Sequence, residues 1–167
     1  MSAAQRARPD VAFPRRVVTR PATDKTEAHD AMTPEEFALA EASGQFALSW
    51  RAHGLAYGIP VTICDALDAG RTVVVNVSRG VIADSEALFH TVAVLNVTAR
   101  PEILARRIAA RGRESAADIA SRLSRDASVS VRTARVFEVG NNGTLEEGVA
   151  SFLAALARAE TISSVAP

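Results

Sequence analysis

The chain of 167 residues has very little lysine and cysteine and carries no net charge. Lys25 is its only lysine, so the other basic residues are all arginine. A formal net charge of zero argues against general nucleic-acid binding, which needs a surplus of basic charge. Cys64 stands alone, which excludes an intrachain disulfide and a cysteine metal site and fits a reducing compartment. Its apolar surroundings read as a small core position. The basic N-terminus has no apolar run behind it, so no signal peptide is expected. No stretch approaches the roughly 20 apolar residues of a membrane span. These absences together predict a cytoplasmic protein. His29 and His90 have no carboxylate or cysteine at ligand spacing, so no metal site is assigned. There is no internal repeat and no low-complexity block. There is also no Gly-Lys pair, so the phosphate-binding pattern G-x-x-x-x-G-K-[ST] is absent from these residues.

What is present is an ordinary globular composition, with 48% hydrophobic and 23% charged residues, enough for one domain with a real core. Residues 1–14 read as frayed or weakly helical. Arg15–Thr19 reads as a short strand and 21–32 as a polar loop. Thr33-Pro34-Glu35-Glu36 opens a helix with a capping box and a proline at the first helical position. That helix runs to Gly44. Phe46, Leu48 and Trp50 alternate as in a strand, and 53–58 reads as a glycine-rich loop. Pro60 to Ala69 looks helical. Thr72–Ser78 is continuously β-branched and is the strongest strand signal, as for a parallel strand buried on both faces. A helix near 81–90 leads to a strand at 92–97. Further helices are expected from Pro101 to Gly112 and from about 115 to 127. A strand at 135–139 follows. Thr144-Leu145-Glu146-Glu147 is a second capping box, opening a helix to about Ala159, with a loose tail over 160–167. Strands alternating with helices predict an α/β fold with a parallel sheet flanked by helices. Ligands then belong beyond the carboxyl ends of the strands.

The clearest constellation is Arg107, Arg111, Arg113 and Arg122. Arg107 and Arg111 are four apart and share a helix face, where their repulsion of about 0.2–0.5 kcal/mol is more than offset by an intervening anion. Convergent guanidiniums suit a transferring phosphoryl group. A solvated basic face with Glu102, Glu114 and Asp118 as counter-ions is the alternative. Arg16 and Arg20 flank a strand, and Arg20 falls at its carboxyl end. They suit an anionic substrate or are plain edge charges. His53, Tyr57 and Gly58 form a third group. Tyr57 offers a hydroxyl and Gly58 lets a backbone approach closely, although a Tyr-Gly pair can also be just a turn.

These residues carry a resemblance. The runs Arg16-Val17-Val18-Thr19-Arg20-Pro21, Phe46-Ala47-Leu48-Ser49-Trp50 and Ala52–Gly58 resemble the guanylate kinase-like proteins. Within them the likeness is greatest to the ribose 1,5-bisphosphate phosphokinases of phosphonate breakdown. It continues through Val73–Arg79, Arg106–Glu114, Ser121-Arg122-Leu123 and Asn141–Leu145, and covers about residues 13–157. It implies a single P-loop kinase domain over 1–167 with a lid at 101–127. It implies ATP with Mg²⁺ as co-substrate and a phosphorylated sugar as acceptor, giving 5-phosphoribosyl diphosphate. The chain's partners are then ATP and the phosphorylated sugar, with no nucleic acid or membrane and the oligomeric state open. Arg107, Arg111 and Arg122 take the place of the lid arginines. Arg20 and Tyr57 match acceptor-phosphate residues. Arg16, Ser49, His53, Gly58 and Arg79 fall in the acceptor region, and Arg113 and Asn142 on the donor side. Guanylate kinases carry a guanine-reading glutamate where this chain has Ser49. Thr23 stands where they have a second acceptor arginine. Loss of the glutamate removes the acceptor for the base's N–H groups and suits a substrate without a base. Family members begin with a strand, a glycine loop with its lysine, and a helix. The present chain opens near the end of that helix, through a start placed downstream, a degraded gene or truncation. If the first strand is missing, exposed backbone and apolar surface predict self-association.

Overall fold

The computed structural model describes residues 2–20, 29–110 and 129–163. The chain divides into two compact units, Met1–His90 and Thr91–Pro167.

The first unit opens with helix α1, Ser2–Ala7, the helical of the two readings the sequence left open for residues 1–14. Its sheet has four strands: β1, Val17–Val18; β2, Asp30–Ala31; β3, Phe46–Ala52; and β4, Leu55–Pro60. They lie in the order β2-β1-β4-β3. β1 runs parallel to β2 but antiparallel to β4, and β3 is antiparallel to β4. The sheet is therefore mixed, not purely parallel. The cause is the connection at His53-Gly54. Both residues have positive φ, 53° and 73°, the requirement of the two-residue turn that matches strand twist. Residues 53–58 are thus a hairpin turn and a strand, not a loop. The register follows directly, with Ala52 opposite Leu55 and Trp50 opposite Tyr57.

Helix α2, Pro34–Ala42, begins as its sequence requires. Thr33 Oγ1 accepts from Glu36 N–H at 3.1 Å, and Glu36 accepts from Thr33 N–H at 2.8 Å. Phe37 of α2 packs with Val17, Ala56, Met32 and Phe46 on one side of the sheet. On the other side Leu48 and Ile59 pack with Ile63 and Val81, joined by Trp50, Val73, Val75 and Val77. Helix α3 is only Ile63–Asp68, because Ile59 and Pro60 belong to β4. A 3₁₀ turn at Arg79–Val81 leads into α4, Ile82–Leu88.

The expected strand at Thr72–Ser78 is not a ladder strand here. Among the described residues its strand pairing is a single parallel bridge, Ala12 with Val73. Two hydrogen bonds close it: Ala12 N–H to Thr72 O at 2.9 Å and Val74 N–H to Ala12 O at 2.8 Å. Its valines are half-buried by side-chain packing alone. An apolar β-branched run records burial, whereas a ladder needs a neighbouring strand's backbone.

The second unit holds the parallel pairing that the sequence predicted. β5, Ala93–Thr98, pairs in parallel with β6, Arg135–Gly140. Helix α5, Pro101–Ala110, follows β5, and α6, Leu145–Ser163, follows β6. α6 extends past the expected end at Ala159 and takes in part of the segment read as a loose tail. Its capping box forms, with Thr144 N–H donating to Glu147 at 2.8 Å and Glu147 N–H to Thr144 Oγ1 at 3.2 Å. Phe137 and Val139 pack against Ala155 and Ala159 of α6. The helix expected at 115–127 lies outside the described residues.

Candidate active site

The first unit carries Arg16, Arg20, Ser49, His53, Tyr57, Gly58 and Arg79, the residues expected on the acceptor side. β3 and β4 present alternate side chains to opposite faces. Trp50 and Tyr57, paired across the hairpin, stack with centroids 5.2 Å apart and planes 7° from parallel. The Arg16 guanidinium lies over the Tyr57 ring, 5.3 Å from its centroid. Arg16 reaches it because β1 pairs Val18 with Tyr57. The structure thus brings Arg16 and Tyr57 together, with Trp50 as an addition the sequence reading did not single out. The turn at His53-Gly54 could have revealed it, since a two-residue turn puts 50 opposite 57.

Arg20 sits just beyond β1. Its neighbour Thr19 is clasped by β4: Thr19 N–H donates to Ala56 O at 3.0 Å, and Thr19 Oγ1 accepts from Ala56 N–H at 2.8 Å. That clasp sets where the chain leaves the sheet at Arg20. Beside it an open recess of about 350 Å³ is lined by Thr19, Pro34, Phe37, Arg51, Gly54, Leu55 and Ala56.

Ser49 is turned toward α2. Its hydroxyl donates to Glu41 Oε1 at 2.6 Å. Arg51, two residues on and on the same face, donates to both oxygens of Glu41, at 3.1 and 2.6 Å. The Arg51 guanidinium also lies 5.0 Å from the Phe37 ring centroid. Arg51 first, then Ser49, holds the Glu41 carboxyl below the usual carboxylate range. Glu41 in turn raises Arg51 above its ordinary value. The position where guanylate kinases present a glutamate is therefore a hydroxyl tied into an ion pair. Glu41 and Arg51 were not among the sequence-predicted residues. Glu41 lies eight residues before Ser49, and no helical or strand spacing links the two.

His53 is exposed at the hairpin tip. Gly58 faces the Phe46 ring, where a Cβ would fall 2.5 Å from Cδ1. The room the missing side chain leaves is filled by that ring. Arg79 is exposed at the start of the 3₁₀ turn that follows 72–78.

In the second unit, Arg107 and Asn142 lie beyond the carboxyl ends of β5 and β6. Half-buried Arg107, in the last turn of α5, donates to Asn141 O at 2.7 Å and Gly143 O at 2.9 Å. Asn142 Oδ1 accepts from the Arg100 backbone N–H at 2.7 Å. Arg107 and Asn142 are thus brought to one loop. Arg111, Arg113 and Arg122 lie outside the described residues, so the expected convergence of the lid arginines does too. Among the described residues no three His, Cys, Asp or Glu gather to hold a metal. No described helix is long and apolar enough to cross a membrane.

No family model matches the chain. The fold is similar to the crystal structure of guanylate kinase from Anaplasma phagocytophilum, with a TM-score of 0.65. That likeness covers 95% of this chain and 80% of that one, at 22% identity, and shows the fold alone. In sequence, the chain is 46% identical over 147 residues to the bifunctional ribose 1,5-bisphosphokinase-thymidine phosphorylase of Cupriavidus necator, spanning 88% of this chain but 24% of that longer protein. It is 41% identical over 141 residues to ribose 1,5-bisphosphate phosphokinase PhnN of Brucella melitensis, covering 84% of this chain and 73% of that one. It is 50% identical over 150 residues to the PhnN protein of Acidiphilium cryptum, covering 90% of this chain and 78% of its relative. With identity at that level sustained over most of both chains, this protein belongs to the ribose 1,5-bisphosphate phosphokinase family.

Proposed function

We propose that the chain acts as a phosphotransferase that phosphorylates ribose 1,5-bisphosphate from ATP, yielding 5-phosphoribosyl 1-diphosphate and ADP in phosphonate breakdown. The 50% identity to a ribose 1,5-bisphosphate phosphokinase over 90% of the chain carries this reading. In the reaction an oxygen of the 1-phosphate attacks the γ-phosphorus of ATP. The new P–O bond forms as the bond to the β-phosphate oxygen breaks, and the electrons leave with ADP. The attacking phosphate loses its second proton at about pH 6. It is already anionic at neutral pH, so no general base is required. Catalysis is then positioning and charge neutralisation.

Arg20 and Tyr57 hold the acceptor phosphate, with Arg16 behind the Tyr57 ring. Arg107, Arg111 and Arg122 belong to the lid; Arg111 and Arg122 neutralise charge at the transferred group, and Arg107 lies toward the donor with Arg113 and Asn142. Ser49, His53, Gly58 and Arg79 shape the acceptor side. Ser49, whose hydroxyl donates to Glu41, offers no carboxylate at that position to accept from a base, which favours a base-free acceptor. Mg²⁺ enters bound to the ATP phosphates, as this ion commonly does.

Phosphorus NMR with ATP and either ribose 1,5-bisphosphate or GMP tests the reading. A new diphosphate signal with the sugar and none with GMP is expected. Preferential phosphorylation of GMP, or sugar-phosphate binding without turnover, would refute it. Arg111→Ala should lower kcat by about 100- to 1,000-fold. Near-normal turnover would remove Arg111 from the lid assignment.

A further inference from the structure

We propose that Arg107 is a positioning residue of the donor side: it shapes the β6–α6 loop that receives the base of the donor nucleotide, rather than clamping the transferred phosphoryl group. The inference rests on the donor reading above and deepens it.

The geometry of the guanidinium is the first ground. Two of its nitrogens donate to two backbone carbonyls, Asn141 O at 2.7 Å and Gly143 O at 2.9 Å. These acceptors lie 34 and 36 residues along the chain, so the contact spans from α5 to the far loop. A planar fork can bridge two carbonyls two residues apart, whereas an ammonium acts as a single point. Hydrogen bonds from a charged donor are the stronger kind.

The loop itself is the second ground. Asn141 N–H donates to Thr98 O at 2.7 Å, which ties the loop to the end of β5. Arg100 N–H donates to Asn142 Oδ1 at 2.7 Å, which orients the Asn142 amide. With Oδ1 committed to Arg100, the NH₂ end of Asn142 is the part turned to offer a hydrogen bond to a ring nitrogen of a base. The far side is closed by the Thr144–Glu147 capping box. A Cβ at Gly143 would meet the Glu147 carboxylate of that box and would have to displace it. The other ties described above come from backbone or from the loop's own cap, whereas Arg107 braces it with a side chain from α5.

Position is the third ground. The loop leaves the carboxyl end of β6, and Arg100 and α5 follow the carboxyl end of parallel β5. Ligands of parallel sheets sit at that end. A loop held by these hydrogen bonds has its hydrogen-bonding groups pre-organised, and preorganisation appears mostly as affinity.

Arg107→Ala and Arg107→Lys in this chain test the inference through two readouts. The first is hydrogen exchange of the backbone amides of 140–144. Both variants should exchange these amides faster, Ala more than Lys, with β5 and β6 unchanged. The second is the split between KM and kcat. Loss of the brace should raise KM for ATP by roughly tenfold, with kcat at saturating ATP within about threefold and KM for the acceptor unchanged. Binding of ATP measured by calorimetry should weaken in parallel. Unchanged exchange in the loop would overturn the inference. So would a collapse of kcat with KM for ATP intact, which marks a group acting on the transition state. If the unvaried chain binds no ATP, the donor reading falls and the donor role of Arg107 with it. The exchange measurement still decides whether Arg107 braces the loop.

Discussion

Gly58→Ala places a methyl group where the Phe46 ring now lies. The added carbon would sit 2.5, 2.7 and 2.8 Å from Cδ1, Cε1 and Cγ of that ring. Carbon atoms prefer about 3.5–4.0 Å, so the ring must retreat by about 1 Å. Phe37 opposes the retreat, stacked on Phe46 with centroids 4.6 Å apart and itself only 1% exposed. Overpacking of this kind costs about 1–3 kcal/mol. The smaller entropy of an unfolded chain with alanine offsets about 0.4–1 kcal/mol of that. A net loss of about 1–2 kcal/mol is expected, read as a shift in the urea midpoint with unchanged slope. The same substitution in a Phe46→Ala background should be neutral or stabilising, because the obstructing ring is gone. An equal loss in both backgrounds would refute the packing account. Unchanged stability with lost acceptor binding would show instead that Gly58 serves a ligand's approach.

Two further substitutions probe the same unit. The depressed pKa of Glu41 means that its pairing with Arg51 and Ser49 stabilises the fold above the carboxyl's unfolded pKa and is lost as pH falls through the folded value. Glu41→Gln should therefore lower stability at neutral pH and flatten its decline in acid. Denaturation curves from about pH 3 to 7 would show this, and acid limbs parallel to those of the unvaried chain would contradict it. His53 has φ of 53°, a conformation that asparagine adopts readily and valine does not. His53→Asn should raise stability by a few tenths of a kcal/mol, and His53→Val should lower it by about 1 kcal/mol. Thermal melts check both, and equal melts would remove the turn assignment.

The acid–hydroxyl–guanidinium group at Glu41, Ser49 and Arg51 shows where sequence reading met its limit. Ser49 was recognised as the absence of a glutamate. What the hydroxyl does depends on which helix face passes β3, and that is set by Phe37 packing into the sheet. The hairpin was different. His53-Gly54 carried the turn signal in plain view, yet the glycines also suited a ligand loop, and only the observed positive φ values separate the two readings. At Thr72–Ser78 the apolar run implied a parallel strand buried on both faces, whereas Val73, Val75 and Val77 are partly buried against Leu48, Ile59 and Val81. It overstated backbone pairing, which no side-chain pattern encodes.

Local chemistry and family membership were determined by the sequence alone. Both capping boxes form as Thr33–Glu36 and Thr144–Glu147 require, because those hydrogen bonds close within three residues and need nothing from the rest of the fold. The β5–α5 and β6–α6 order, and the likeness to the kinases, were likewise readable from residue type and spacing. Only the tertiary structure decided what Gly58, Ser49 and Arg107 touch. Their partners are a ring on a neighbouring strand, a carboxylate on a packed helix, and two carbonyls more than 30 residues away. A guanidinium binds phosphate oxygens and carbonyl oxygens by the same hydrogen bonds, so its residue type leaves the choice open. The chain path beside it makes that choice.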